Sequence, residues 1–439
     1  VNEERVYAKV TLRLLPFLGL CYLIAYLDRV NVGFAKLHML ADLGMSEAAY
    51  GFGAGIFFIG YFLFEVPSNL ALHRLGARMW IARIMVTWGI ISGAMAFVEP
   101  LARGMGLEAT TVFYGLRFLL GAAEAGFFPG VLLYLNYWYP SHRQSRVIAL
   151  LLMAQPFAFV FGAPLSGAIM DSFGGVQGLY DWQWMFILEA IPAVVLGVAV
   201  LFYLDNRIDE AAWLAPDEKR LLNDRLAHEA STKSDAPLRK LFAIPAMWLF
   251  TVILFCIVTG VYGINFWLPT IIRETGIESV LVIGGITAAC YFSSAVISVL
   301  VTRRAERLNE KRWHATAAAI LGGACLALSA VWTDSTLVTA VLLSLATSGA
   351  LVATALFWSF PGSLLTGVGV AAGLAAINSF GNLGGFVGPY LLGLMTEWLG
   401  SRTAGVGVLG GFMAVAGVLI ALGCRGYGLR NQQGPTAAQ

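Results

Sequence analysis

Residues 11–39 read TLRLLPFLGLCYLIAYLDRVNVGFAKLHM, and in the middle of this apolar run two opposite charges, Asp28 and Arg29, stand side by side. A helix from Leu12 to Met39 rises about 40 Å at 1.5 Å per residue, enough to cross a bilayer. The charged pair therefore falls within the membrane. A charge there costs roughly 2.5 to 3.5 kcal/mol on insertion scales, and it is kept only where it faces a bundle interior or a watery cavity. The rest of the chain reads as a wall around this pair.

Composition agrees. Hydrophobic residues make up 58% of the 439 and charged residues 12%, and the mean hydropathy is +0.75, which marks an all-α polytopic membrane protein rather than a soluble domain. A net charge of +2 with no basic tract beyond short loops sets nucleic acid aside as a partner. The five cysteines, Cys21, Cys256, Cys290, Cys325 and Cys424, are odd in number, far apart and in apolar segments. They read as packing residues, with neither a disulfide framework nor a metal site. Arg5, Lys9 and Arg13 resemble the charged start of a signal peptide, but the run that follows is too long and lacks a small-x-small cleavage site. It is expected to stay as the first span.

Apolar runs recur at about 12–38, 47–72, 79–98, 110–138, 144–170, 182–204, 242–272, 279–302, 313–332, 336–360, 365–397 and 403–424, which predicts twelve transmembrane helices. With the N-terminus inside, 22 of the 28 Lys and Arg fall in inner segments. Four (Lys36, Arg103, Arg273, Arg402) fall outside, and Arg29 and Arg117 lie in the membrane. This asymmetry predicts a multi-pass protein of a cell membrane, by expectation a bacterial inner membrane, with both termini cytoplasmic. The polar stretch after the sixth run divides the chain into two six-helix bundles: 1–205, a cytoplasmic linker 206–238, 239–427, and a tail 428–439. Pro216 at a helix start and Leu221, Leu222 and Leu226 near helical spacing predict a short amphipathic helix through Ala215 to Ala230. A weak repeat supports the halves: His73-Arg74-Leu75-Gly76-Ala77-Arg78 follows the second run, and Glu306-Arg307-Leu308-Asn309-Glu310-Lys311-Arg312 follows the eighth. Duplicated bundles with a site at their interface are common among secondary transporters.

The fourth run holds a second buried charge set, Arg117 and Glu124. Seven residues of helix turn through about 700°, so both side chains point the same way, about 10 Å apart along the axis. With Asp28 and Arg29 this makes two arginines and two carboxylates, whose charge is compensated internally or by a bound anion. An organic carboxylate can replace a carboxylate side chain on an arginine, and the guanidinium fork suits that role better than a lysine. Arg29 is the first candidate anchor. Arg117 is either a second substrate contact or the partner of Glu124 or Asp28. All five histidines, His38, His73, His142, His228 and His314, fall at span ends or in loops. Proton coupling would therefore run through carboxylates, with Asp28 and Glu124 as candidates and fixed ion pairing as the alternative. Glu65 before Val66-Pro67, and Glu189 before Pro192, read as structural or gating groups. No H-E-x-x-H, G-x-S-x-G or Cys/His pairing points to an enzyme. Lone opposite-sign pairs do not make the rings of a channel.

Four stretches carry a family resemblance: YLDRVNVGFA (Tyr26–Ala35), GIFFIGYFLFEVPSNL (Gly55–Leu70), GLRFLLGAAEAGFFPG (Gly115–Gly130) and FWLPTII (Phe266–Ile272). The chain resembles the major facilitator superfamily, and within it the anion:cation symporter family of carriers for sugar acids, tartrate, phthalate and related anions. The resemblance implies an arginine anchor at Arg29 and coupling carboxylates at Asp28 and Glu124. It also implies substrate contacts at Tyr61, Gln155, Trp358, Asn378 and Asn382. The superfamily's loop motif G-x-x-x-D-R-x-G-R-R is degenerate here, with Asn69, His73 and Ala77 replacing its glycine, aspartate and one arginine; Arg74, Gly76 and Arg78 match. It implies gating at these three and at Glu306 and Arg307 in the repeat. Ala355, Leu356 and Phe357 beside Trp358 are apolar where sugar-acid carriers tend to be polar, which argues against a heavily hydroxylated substrate. The expectation is a monomeric carrier in the bilayer that imports a small organic anion by proton symport and alternating access, with no cofactor beyond the proton. The alternatives are a sodium-coupled or uncoupled organic-anion carrier, or a transporter-like nutrient sensor.

Overall fold

The computed structural model describes residues 2–230, 244–361 and 370–424, and all regular structure among them is helical. The expected linker beyond 230, the first and last residues of the second bundle (239–243 and 425–427), the start of the eleventh run (365–369) and the tail (428–439) lie outside the described residues.

The first run lies in α1 (Glu3–Leu43), a 41-residue helix that carries Pro16 inside it, and the second in α2 (Glu47–Leu75). Between α2 and α3 (Ala77–Ala94), Gly76 adopts φ +87°, a conformation an L side chain rarely holds. A Cβ there would stand 3.0 Å from Asn206 Oδ1, which accepts the Arg78 backbone N–H. A 3₁₀ turn (Met95–Phe97) joins α3 to α4 (Val98–Met105). The fourth run is broken, contrary to the single helix expected at 110–138. α5 (Ala109–Glu124) stops at Glu124, Ala125 turns to ψ 132°, Gly126 adopts φ +84°, and α6 (Phe127–Asn136) restarts. A second break separates α7 (Ser141–Leu152) from α8 (Ala154–Phe173) just before Pro156. α9 (Asp181–Tyr203) opens on Gln183, whose Oε1 accepts the Tyr180 N–H at 2.8 Å. α10 spans Pro216–Ala230, with Glu218 accepting the Ala215 N–H in its first turn.

The remaining helices are α11 (Pro245–Arg273), α12 (Val280–Arg307), α13 (Lys311–Ser329), α14 (Thr336–Phe357), α15 (Val370–Gly381), α16 (Gly384–Leu399) and α17 (Arg402–Gly423). Among the described residues, ten helical stretches are long and apolar enough to cross a membrane, against twelve runs in the sequence. The run at 313–332 is the helix α13, but Lys311, Arg312 and His314 in its first turn dilute its hydropathy. The run at 365–397 is divided between α15 and α16. Asn309, with φ +50°, occupies the place in Glu306-Arg307-Leu308-Asn309 that Gly76 holds in His73-Arg74-Leu75-Gly76. Asparagine tolerates the left-handed conformation where most residues do not, so both repeats make the same turn.

Packing sorts the chain into two units. One comprises Val1–Asn31, Ile59–Gly162 and Ser172–Ser234. In it α3 packs along α9, and Trp88, Trp138, Trp182, Phe113, Phe127 and Tyr134 are fully buried. The other comprises Val32–Phe58, Ala163–Asp171 and Asp235–Gln439. In it α13 packs on α14 and α17, and Gly323 and Gly410 approach so closely that a methyl on either would strike the other's carbonyl oxygen. Asp171 closes the start of α12: its carboxylate accepts from Ser279 Oγ (2.7 Å) and from the backbone N–H of Val280 (3.1 Å) and Leu281 (3.0 Å).

Candidate functional site

Asp28 and Arg29 are neighbours on one helix, so about 100° separates their directions and their bonds go to different partners. Asp28 is 2% exposed and held by hydrogen bonds. Trp88 Nε1 donates to Oδ2 at 2.8 Å, Ser92 Oγ donates to Oδ1 at 2.9 Å, and Asn31 Nδ2 lies 3.4 Å from Oδ1. Trp88 and Ser92 are one turn apart on α3, which brings both to one carboxylate.

Arg29 reaches α5. Its Nε and Nη2 lie 2.7 and 2.5 Å from the same oxygen, Glu124 Oε1, with the Arg29 side chain 14% and the Glu124 side chain 2% exposed. The guanidinium also stands over the rings of Tyr26 (5.1 Å) and Tyr61 (5.3 Å), within cation–π range. Arg117 is 1% exposed and on the same helix as Glu124, and its charge acts on both Asp28 and Glu124. The structure thus gathers Asp28, Arg29, Arg117, Glu124 and Tyr61 in one unit. The acceptor of Arg29 is the last residue of α5, at the broken helix. Gly126, two residues on, is pressed against Ser68 of α2. Broken helices at membrane depth free backbone groups and are tolerated where they are buried in protein or line a cavity.

Other candidates also sit at helix ends. Gln155 is half-buried in the first turn of α8, and Trp358 is about a third exposed, just beyond α14 and edge-on to Phe357. Asn378 lies in α15, and Asn382 follows it at the break, its backbone N–H bonded to Asn378 O at 2.9 Å. Trp358, Asn378 and Asn382 belong to the second unit. Of the gating candidates, Arg74, Glu306 and Arg307 are exposed, Arg78 and Gly76 are half-buried, and Gly76 forms the turn described above. Glu65 and Glu189 are buried.

Two features escape a reading of the sequence. Trp88 and Ser92 are ordinary residues in an apolar span; their only signal is the four-residue spacing. Lys36, counted above with the outer loops, is instead 3% exposed. Its Nζ lies 2.8 Å from Glu47 Oε2 and 3.0 Å from the centroid of the Trp267 ring, so a counterion and an aromatic face replace water. Arg402 binds the other Glu47 oxygen at 3.2 Å and also pairs with Glu274. These groups lie in the second unit and tie the far end of α1 and the start of α2 to α11 and α17. Four charges brought together from remote segments leave no local signature.

The model of the Major Facilitator Superfamily matches residues 18–377. An Agrobacterium vitis protein named "Putative tartrate transporter" is 45% identical over 419 residues, 95% of this chain and 94% of the relative. An Acinetobacter baumannii "Quinolone resistance transporter" is 40% identical over 408 residues, 92% of this chain and 91% of the relative. Among solved structures, that of a D-xylose-proton symporter superposes with a TM-score of 0.73 at 13% identity, over 94% of this chain and 96% of the other, a likeness of fold. Membrane-crossing helices, the family match over most of the chain and the shared fold agree: this chain belongs to the Major Facilitator Superfamily of membrane transporters.

Proposed function

We propose that the protein is a proton symporter that imports an organic carboxylate, working by alternating access as a monomer of twelve spans in two six-helix bundles. On this reading both termini face the cytoplasm of a bacterial inner membrane. The observation that carries it is the buried contact of Arg29 with Glu124. The guanidinium already binds a carboxylate in a place shielded from water, which is the chemistry an incoming organic anion needs. A proton on Glu124 removes the resident competitor and leaves Arg29 to the substrate; loss of that proton returns Glu124 and expels the anion. Substrate and proton then load together. Asp28 is the second site for a proton, and Arg117 keeps the pocket's balance of charge. The gating residues Arg74, Gly76, Arg78, Glu306 and Arg307 form the two repeated turns. The Agrobacterium relative's name supports a hydroxydicarboxylate among the substrates.

Uptake of labelled tartrate and of a panel of sugar acids and aromatic carboxylates into proteoliposomes, driven by an imposed pH gradient, tests this reading. Arg29→Lys keeps the charge but loses the planar fork, so binding should weaken by roughly 10- to 150-fold, the range of a charged hydrogen bond. Asp28→Asn or Glu124→Gln should retain exchange and lose accumulation. Accumulation that requires sodium at fixed pH, or unchanged binding in Arg29→Lys and Arg29→Ala, defeats it. The name of the Acinetobacter relative, a quinolone resistance transporter, raises a second reading in which the cargo is an aromatic carboxylate moved outward, which the same vesicles report as transport in the opposite direction.

A further inference from the structure

We infer that Trp88 and Ser92 are positioning residues that decide which oxygen of Asp28 carries the proton. The inference rests on the reading of Asp28 as a proton site and deepens it.

The two donors differ in kind. The indole N–H of Trp88 can only donate, so Oδ2, which it contacts at 2.8 Å, is fixed as an acceptor in either protonation state. A hydroxyl donates or accepts, so Ser92 Oγ, 2.9 Å from Oδ1, can follow the proton. In the ionised state Ser92 donates to Oδ1. When a proton arrives it bonds to Oδ1, the Ser92 hydroxyl rotates to accept it, and the hydroxyl hydrogen turns to the carbonyl of Trp88 one turn back, the usual local acceptor for a helical serine. Nothing else need move. Trp88 and Ser92 are 0% and 1% exposed, so water does not take over either bond. Asn31 Nδ2, at 3.4 Å, is a long contact that adds little to either state. The charged groups that act on Asp28 are Glu124 and Arg117, both on α5, while Arg29 beside it on α1 turns its guanidinium to Glu124. These charges are common to all variants of Trp88 and Ser92, so the variants report the hydrogen bonds.

Infrared difference spectra of the purified protein, taken between acid and alkaline pH and following the carboxylic acid C=O stretch, test the assignment without a substrate. A band lost in Asp28→Asn identifies the Asp28 acid. In Ser92→Ala this band should move to higher frequency, because the acid O–H loses its acceptor, and Ser92→Thr should restore it. Trp88→Phe removes a donor that favours the ionised form, so the midpoint of the band's pH dependence should rise by about one pH unit, tenfold in proton affinity. If the Asp28 band is present but keeps its frequency in Ser92→Ala and its midpoint in Trp88→Phe, the positioning role is wrong while Asp28 remains a proton site. If the spectrum is the same in Asp28→Asn as in the native protein, the proton-site reading itself falls.

Discussion

Removing Arg29 has a consequence that can be worked from the geometry. In Arg29→Ala the Glu124 carboxylate, 2% exposed, loses the guanidinium bonded to it at 2.5 and 2.7 Å. Breaking a buried pair in this way typically costs about 3 to 5 kcal/mol. Glu124 has an escape, however, which is to bind a proton. From an ordinary glutamate value of 4.5, protonation at about pH 7 costs about 3 kcal/mol at roughly 1.4 kcal/mol per pH unit, and this sets a ceiling. Arg117 on the same helix also stabilises the bare carboxylate, which keeps the loss below this ceiling. At about pH 5 the same arithmetic leaves less than about 1 kcal/mol. The loss of stability in Arg29→Ala should therefore be large near neutrality and small in acid. The double variant Arg29→Ala/Glu124→Gln should lie within about 1 kcal/mol of the native protein at both pH values, since no charge is then left unpaired. Reversible unfolding in mixed detergent micelles at the two pH values measures this. A loss in Arg29→Ala that is equal at both, or a double variant no more stable than the single, would refute the coupling.

Two further outcomes follow from the packing. Gly126→Ala should reduce stability strongly, because its φ of +84° is strained for alanine and the new methyl would collide with Ser68 Oγ; Ser68→Gly in the same chain should recover only the steric part, which thermal unfolding in detergent measures. On α10, the Lys9 ammonium bonded at 2.7 Å and the Ala215 N–H hold the Glu218 carboxyl below its usual value of 4.5, so its contribution is present above that value and fades as pH falls through the lowered one. The pair is partly exposed and worth no more than about 1 kcal/mol, so the protection factors of the α10 amides, taken relative to intrinsic exchange at each pH, should fall modestly in acid, and in Lys9→Met already at neutral pH.

How much of this was legible in the sequence depended on whether a residue looked out of place. Asp28, Arg29, Arg117 and Glu124 stand out because charge in an apolar run is expensive, and the structure gathers them. Their pairing did not follow from adjacency: Asp28 faces α3, while Arg29 faces α5. The seven-residue spacing of Arg117 and Glu124 holds because both lie on α5, but the end of that helix at Glu124 has no cue stronger than Ala125-Gly126, which also occurs inside helices. Trp88 and Ser92 were illegible because tryptophan and serine are ordinary in a membrane bundle. Lys36 was misplaced because a lysine near a span end is normally solvated, and Glu47, Trp267 and Arg402, which shelter it, come from three distant segments.

The arithmetic of the core charges fixes what membrane voltage can act upon. Asp28 and Glu124 against Arg29 and Arg117 sum to zero, and so do Lys36 and Arg402 against Glu47 and Glu274. An electric potential does about 2.3 kcal/mol of work on each net charge carried across 100 mV, and in these two clusters it finds none. Within these two clusters, ionised as counted, the voltage acts only through the protons and anion they bind. On the proposed cycle, one proton with a monocarboxylate adds nothing to the sum and moves without regard to the potential. A dicarboxylate with one proton is driven outward by an interior-negative membrane, and only further protons reverse that force.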